Sequence, residues 1–262
     1  SINDQYTAGT IATSTYSELK WELTEETNIG LDAQLFDTRL SVNTEYFIRD
    51  TKNAAVNVTI PSVGATVLRN VGEIRNSGFE FALNWSDAIT SDWSYTIGAN
   101  FSTLKNEVRD LFGQLYIDGG SAEFRQRSIV GEPLLAFYGW EVVGVYQNEA
   151  QVQSDPIAVA NNLVPGDFIY KDQNGDGVID DNDRKVLGSY FPNFMYGANL
   201  GLRFRNLDLS VTMMGQSGNK ILNRKRGEMI WTNDGNLDAD LAKNRWHGEG
   251  TSNKYPSSAG LR

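Results

Sequence analysis

The sequence predicts an all-β chain: an antiparallel, up-and-down segment of a transmembrane β-barrel, a partial barrel of about eight strands, with long extracellular loops. Three observations predict it. Apolar and polar residues alternate strictly in paired runs, as in strands with one apolar and one polar face. The runs are about 10 residues long, the length a tilted strand needs to cross a bilayer, whereas soluble strands average about 5–6. The connections are lopsided, with tight turns alternating with long excursions.

The first pair is 27–36 and 40–49. Ile29, Leu31, Ala33 and Leu35 oppose Asn28, Gly30, Asp32 and Gln34. Leu40, Val42, Tyr46 and Ile48 oppose Ser41, Asn43, Glu45 and Arg49, with Phe47 breaking the polar face. Residues 37–39 make the tight turn between them. In the second pair, Phe79, Phe81, Leu83 and Trp85 precede a turn over 87–92. Trp93, Tyr95, Ile97, Ala99 and Phe101 follow it. In the third, Tyr196, Ala198, Leu200, Leu202 and Phe204 lead through Arg205-Asn206 to Leu207, Leu209, Val211 and Met213. Aromatics at the ends of the apolar faces (Phe36, Tyr46, Trp85, Trp93, Phe204) fit an interfacial girdle.

The long connections are 50–74, 105–133 and the chain from 218 onward. If tight turns share one side of the membrane, the aromatic run 134–146 is a further crossing. A return strand is then needed between 147 and 193, for which Phe168-Ile169-Tyr170 is the candidate. This count gives about eight strands and places the segment after Tyr170 outside the cell.

Composition narrows the function. The net charge of -10 opposes a nucleic-acid partner, because phosphate binding needs a basic footprint. The sequence has no cysteine, so disulfides and thiolate metal sites are excluded. No apolar stretch reaches the roughly 18 residues of a transmembrane helix, and barrel strands need none. A soluble β-sandwich with one solvated face remains the competing reading.

The sharpest motif is 172–183, Asp-Gln-Asn-Gly-Asp-Gly-Val-Ile-Asp-Asp-Asn-Asp, which matches a calcium-loop pattern. Hard Ca²⁺ takes roughly six to eight oxygen ligands. Asp172, Asn174 and Asp176 supply side-chain oxygens, Val178 its carbonyl, and Asp180 a direct or water-borne ligand. Asp183 stands where a longer Glu is usual. Gly177 makes the sharp turn and Ile179 pins the loop. The flanks are not helical, so a structural ion is expected rather than a sensor. An Asx-rich turn without metal is the alternative.

Enzyme signals are weak, and no catalytic residues are assigned. The single histidine, His247, lies in a polar tail. The basic cluster Lys220, Arg224, Lys225 and Arg226 suits an anionic ligand or, more simply, a solvated loop face. Tyr116, Phe124 and Trp231 are loop aromatics able to stack on sugar rings or to pack within their loops.

Taken in order, several stretches resemble the SusC/RagA-like family of TonB-linked outer-membrane receptors. They are Leu19-Lys20-Trp21-Glu22 before Thr27-Asn28-Ile29-Gly30-Leu31-Asp32; Asn70-Val71-Gly72-Glu73-Ile74 with Asn76-Ser77-Gly78-Phe79-Glu80; and Gly131-Glu132-Pro133 before Tyr138-Gly139. Pro165-Gly166-Asp167, the acidic loop, Asp183-Arg184, Gly188, Phe194, Tyr196-Gly197, Gly215-Gln216 and Gly218-Asn219 continue the series.

The resemblance implies a C-terminal fragment, residues 1–262 being part of one barrel domain of about 22 strands around a plug. It implies active import of glycans or peptides across the outer membrane of a Gram-negative bacterium. The implied partners are a SusD-like surface lipoprotein, outer-membrane lipid, and the TonB complex acting through an N-terminal region missing here. Plug and aromatic terminal strand are expected to be absent, leaving an open, curved sheet with edges prone to association. On this reading Asn28, Asp32, Asn43, Glu45, Glu80, Asn84, Asn100, Arg203 and Asp208 line the lumen. The alternative function is a calcium-stabilised extracellular β-sandwich binding module, adhesin or lectin-like; a barrel hydrolase is a third.

Overall fold

The computed structural model describes residues 14–15, 19–60, 65–121, 124–224 and 239–258. The chain divides into two compact units. The first comprises Ser1–Gly119, Arg127–Leu135 and Ser189–Lys220, and the second Gly120–Gln126, Ala136–Gly188 and Ile221–Arg262. The described strands are β1 (Ser14–Thr15), β2 (Leu23–Leu35), β3 (Leu40–Ile60), β4 (Ala65–Thr90), β5 (Trp93–Thr103), β6 (Lys105–Asp110) and β7 (Tyr116–Gly120). They continue with β8 (Arg125–Ile129), β9 (Ala136–Trp140), β10 (Val142–Val145), β11 (Phe168–Tyr170), β12 (Arg184–Gly188), β13 (Phe194–Phe204) and β14 (Leu207–Ser217).

The first unit is built on an antiparallel sheet in the order β14-β13-β5-β4-β3-β2, with β1 and β6 also pairing β4. Its eight strands match the expected number, but their membership differs. Six long strands carry the continuous ladder, and the two short ones flank β4. The sheet is open, with β2 and β14 at the ends of the path.

Register explains why alternation was so clear. Leu35, Leu40, Trp85, Ile97, Leu200 and Val211 face one another across all six strands. The next row is Ala33, Val42, Leu83, Ala99, Ala198 and Met213. Partners opposite one another share a face, so both rows lie on a single apolar side. This side stays open: Ile29 is 73% exposed, Leu31 64%, Leu207 72% and Met213 63%. Among the described residues, no buried hydrophobic lies on β2, β5, β13 or β14. A β-sandwich would bury this face against a second sheet.

Aromatics ring the apolar band at both ends. At the tight-turn end Phe36 packs on Trp85 at 5.8 Å and Trp93 stacks on Phe204 at 4.3 Å. There the Trp85 indole N–H also donates to the Tyr95 hydroxyl at 3.0 Å. At the other end Phe79 and Phe81 meet Phe101, which meets Phe194, which stacks on Tyr196. The 11 residues of β13 span the band. At about 3.3 Å per residue and a tilt of about 40°, such a strand rises roughly 25 Å, the height of an outer-membrane apolar band.

Four sequence expectations need correction. The stretch 50–74 is not a loose excursion: β3 and β4 run on as one ribbon, registered as far as Ile60↔Ala65. A bulge between Thr51 and Ala55, with Asn53 in a left-handed conformation (φ 57°), separates this ribbon from the lower ladder. The turn read at 87–92 shrinks to Ser91-Asp92, because β4 reaches Thr90. The run 134–146 is not one crossing. It splits at Glu141 into β9, which pairs β12, and β10, which pairs β11. The three-residue β11 is likewise no return crossing. Since β5 pairs β13 directly and antiparallel, residues 104–193 leave and re-enter one end of the sheet, where the Leu104 N–H donates to the Asn193 carbonyl at 3.1 Å. The strand parity then closes without any extra crossing.

The second unit has a small core of Tyr146, Val152 and Ala158, with Leu163 and Ile169 packed against it. Helix α1 (Glu149–Ser154) is capped by Asn148, and α2 (Pro156–Ala160) by Asp155 with proline in its first turn. The Tyr146 hydroxyl donates to Asp155, tying the core to that cap. The tail belongs to the same unit: Val145 N–H donates to Asn253 Oδ1, and Ser257 N–H to the Gly166 carbonyl.

Opposite outcomes are expected for arginine at adjacent positions of β13 in the intact barrel. Leu200→Arg, on the apolar side, should lower unfolding stability by about 2–4 kcal/mol in denaturant titrations from bilayers. Asn199→Arg, one residue away and facing the polar side, should cost less than about 1 kcal/mol.

Candidate functional site

The polar side of the sheet is the first candidate surface. Its rows are Gln34, Ser41, Asn84, Gly98, Asn199, Thr212, and then Asp32, Asn43, Ala82, Asn100, Gly197, Met214. The third is Gly30, Glu45, Glu80, Ser102, Met195, Gln216. Asp32, Asn43, Glu45, Glu80, Asn84 and Asn100, all expected on a lumen, therefore do share one face. A concavity of about 320 Å³ lies along Asp32, Asn43, Glu45, Glu80 and Asn100. Asn28 sits on the same face opposite Phe47, and Arg203 and Asp208 face each other near the tight-turn end, 4.0 Å apart.

Glycines keep this wall low. A Cβ on Gly78 would fall 2.0 Å from the Thr103 carbonyl and 2.9 Å from the Phe47 ring. The aromatic that breaks the polar pattern thus lies over a glycine. Across β5 and β13 the same tripeptide, Gly-Ala-Asn, occurs at 98–100 and 197–199, and each Asn faces the other's Gly. A Cβ on Gly98 would meet the Asn199 carboxamide at 2.1 Å, and one on Gly197 the Asn100 carboxamide at 3.0 Å. Sequence reading passed over this pairing, although two identical tripeptides in phase on two strands were its visible signal.

The acidic loop is the second candidate. Asp172 Oδ1 accepts the Gly175 N–H at 2.7 Å and Oδ2 accepts the Gly177 N–H at 2.8 Å. Gly175 and Gly177 adopt φ of 76° and 82°, which favours glycine at both places. Asn174 Oδ1 accepts Asp176 N–H, and Asp176 Oδ1 accepts Val178 N–H. Asp180 caps a 3-10 turn over Asp181–Asp183 in a reciprocal capping box with Asp183. Asp183 is fully buried; its oxygens accept Gln173 N–H and Asp180 N–H, both at 2.8 Å. The Asp180 amide, chief among these donors, holds the Asp183 carboxyl below its ordinary value.

All six sequence-predicted residues therefore fall in one compact loop. Their oxygens fit a hard cation chemically, and the Asp172 side chain reaches the buried Asp183 carboxyl. Neighbouring ion pairs, Arg184 with Asp181 and Lys185 with Glu141, do not include Asp183. Among the described residues no three acidic, imidazole or thiol groups converge as a ligand set. Asp176 and Asp180 turn to amides of their own loop instead.

Supports of the loop were not foreseen. The Trp140 indole N–H donates to the Asp180 carbonyl at 2.6 Å, the Arg184 guanidinium lies 4.0 Å over the Trp140 ring, and Glu141 accepts from Gln173 and Lys185. Non-local pairing of β9 with β12 brings them in, and no local pattern announces it.

Other candidates fare differently. Arg127 lies 3.6 Å over the Tyr116 ring and Arg224 lies 5.7 Å over that of Phe124, so each ring has a face engaged within its own unit. His247 is exposed, its Nδ1 beside the Arg245 carbonyl. Trp231, Lys225 and Arg226 lie outside the described residues.

A lowered carboxyl pKa stabilises the fold above the unfolded value and ceases to do so as pH falls through the folded one. Exchange protection of the Gln173 and Asp180 amides should therefore persist at about pH 5. It should fall only on acidification below the ordinary Asp183 value of 3.8, as read by hydrogen–deuterium exchange.

Comparison with known proteins agrees with this architecture. The family "TonB dependent receptor-like, beta-barrel" matches residues 1–211. TonB-dependent receptor P3 of Formosa agariphila is 30% identical over 98% of this chain and 26% of its own length. TonB-dependent receptor SusC of Bacteroides thetaiotaomicron is 24% identical over 78% of this chain and 20% of its own. The RagAB peptide importer in its open-open state shares the fold, with a TM-score of 0.72, 22% identity and coverage of 94% of this chain and 26% of that one. The chain spans about a quarter of the length of P3 and of the RagAB chain. With a paired barrel wall in the structure and a family match over most of its length, the chain belongs to the TonB dependent receptor-like, beta-barrel family, in its SusC/RagA-like branch.

Proposed function

We propose that, in the full-length protein, this sheet is part of the barrel wall of an outer-membrane importer of glycans or peptides in a Gram-negative bacterium. One observation carries the reading: an apolar face continuous over six strands stays exposed, while the opposite face is polar. The apolar rows meet lipid, and the rows through Asn84, Asn100 and Asn199 face the lumen. The TonB complex acts through an N-terminal region outside these 262 residues, and a SusD-like lipoprotein serves the outer mouth. The likeness to SusC and to a RagAB peptide importer supports both substrate classes without choosing between them. The role is transport, with no catalysis by this wall.

The acidic loop is proposed to lie outside the cell and to take a structural Ca²⁺. Asp172, Asn174, Asp176, Asp180 and Asp183 would offer side-chain oxygens and Val178 its carbonyl. The ion would supply positive charge to offset the loop's carboxylates. Support comes from the all-oxygen donor set and the approach of Asp172 to the buried Asp183.

Deleting the full-length receptor should abolish uptake of one glycan or peptide class, and a surface lipoprotein should co-purify with the tagged receptor. Unaltered uptake of both classes would refute the importer reading. For the loop, Asp172→Ala combined with Asp176→Ala should remove Ca²⁺-dependent protection of residues 165–190 from protease. Equal protection of the unmutated receptor with and without chelator would eliminate the metal.

A further inference from the structure

Asn174-Gly175 is the single Asn-Gly step in the sequence, and both residues are exposed. Such a step is open to imide chemistry, because glycine has no Cβ to shield its nitrogen. The Gly175 nitrogen attacks Cγ of Asn174. The N–Cγ bond forms, the Cγ–Nδ2 bond breaks, and ammonia leaves with the proton from the glycine nitrogen. Water then opens the ring. Cleavage of the new N–Cγ bond gives aspartate. Cleavage of the original bond to the Asn174 main-chain carbonyl carbon gives isoaspartate, with the chain routed through the side chain.

The loop restrains both reacting atoms. The Gly175 N–H is committed to Asp172 Oδ1 at 2.7 Å. The Asn174 carboxamide is held at both ends by Asp176: Oδ1 accepts its N–H at 3.0 Å, and Nδ2 donates to its Oδ2 at 2.8 Å. Closing the imide requires the carboxamide to leave Asp176 and the glycine nitrogen to turn from Asp172. The second oxygen of Asp172 restrains Gly177, which follows Asp176, at 2.8 Å. That Asp-Gly step forms a separate imide of its own, between the Gly177 nitrogen and Asp176 Cγ, by loss of water.

We infer that Asn174-Gly175 is a deamidation site held closed by Asp172, so that opening of the loop is recorded as a permanent covalent change. Isoaspartate adds a main-chain methylene between Asp172 and Asp176 and one negative charge, and the hydrogen-bond spacing of the loop is lost. The restraint consists of bonds present without any metal, so the inference stands apart from the Ca²⁺ proposal.

The test ages the intact receptor in detergent at neutral pH with chelator present. Proteolytic peptides are then assayed by mass spectrometry and isoaspartate methylation. An unstructured synthetic peptide of residues 170–185 gives the unrestrained rate. The receptor should deamidate at Asn174 about tenfold or more slowly than the peptide, the factor set by a charge-assisted hydrogen bond. Asp172→Ala should bring the receptor to the peptide's rate. Asp180→Ala disturbs the loop at the Asn182 cap without touching Gly175, and should leave the rate near that of the unmutated receptor. A receptor that deamidates as fast as the peptide overturns the inference. Equal acceleration by Asp172→Ala and Asp180→Ala overturns it too, since general loosening would then suffice.

Discussion

The structure depends on one constraint: in hydrocarbon, each backbone N–H and C=O must be satisfied by another backbone group. Unbroken ladders meet it. β13 is registered residue for residue with β5 on one side and β14 on the other over its whole length. Because no residue is skipped there, the two-residue side-chain period stays in phase across the sheet. The division into an apolar and a polar face follows from that phase. Register breaks do occur, at Thr51–Ala55, Ala88–Thr90 and Glu73–Ile74, and they fall towards the ends of the apolar band. Irregular backbone is thus confined to places where water can complete it.

The charged residues obey the same division. Beyond the upper aromatics, Asp50 receives Arg75 through two hydrogen bonds of 2.7 Å, Lys52 meets Glu25, and Arg49 meets Glu26. Each pair is partly exposed, so water and salt screen its attraction. Their importance is positional: they mark where the wall leaves lipid and the β3–β4 ribbon continues in water. That ribbon was hard to read as paired strands because the polar stretch Arg49-Asp50-Thr51-Lys52-Asn53 interrupts the alternation, which resumes only in the short run Val56-Asn57-Val58-Thr59-Ile60.

Legibility therefore followed the solvent. Inside the band, the faces of 27–36, 40–49, 79–85, 93–101 and 196–213 were visible residue by residue, because lipid on one side imposes a strict choice. Outside it, the aromatic run through Phe137, Trp140 and Val143 resembled a crossing, yet its rings and β-branched residues serve short strands with two different partners. The acidic loop was legible because its Asx turns are local. Its dependence on Trp140 and Glu141 was not, since those contacts join segments about 40 residues apart in the chain.

The reciprocal Gly-Ala-Asn pairing on β5 and β13 addresses a problem that alternation leaves unsolved. Hydrophobic pattern fixes strand register only to within two residues, because a shift of two returns every side chain to its proper face. These strands are joined through residues 104–193, so no short turn sets their alignment. In the observed register each carboxamide covers a glycine. Sliding the strands by two residues one way would set Asn100 against Asn199 and Gly98 against Gly201. Sliding them the other way would set Gly98 against Gly197. The tripeptide thus works as a self-complementary size code, large over small in both directions. It distinguishes the correct alignment from neighbours that hydrophobicity alone would accept.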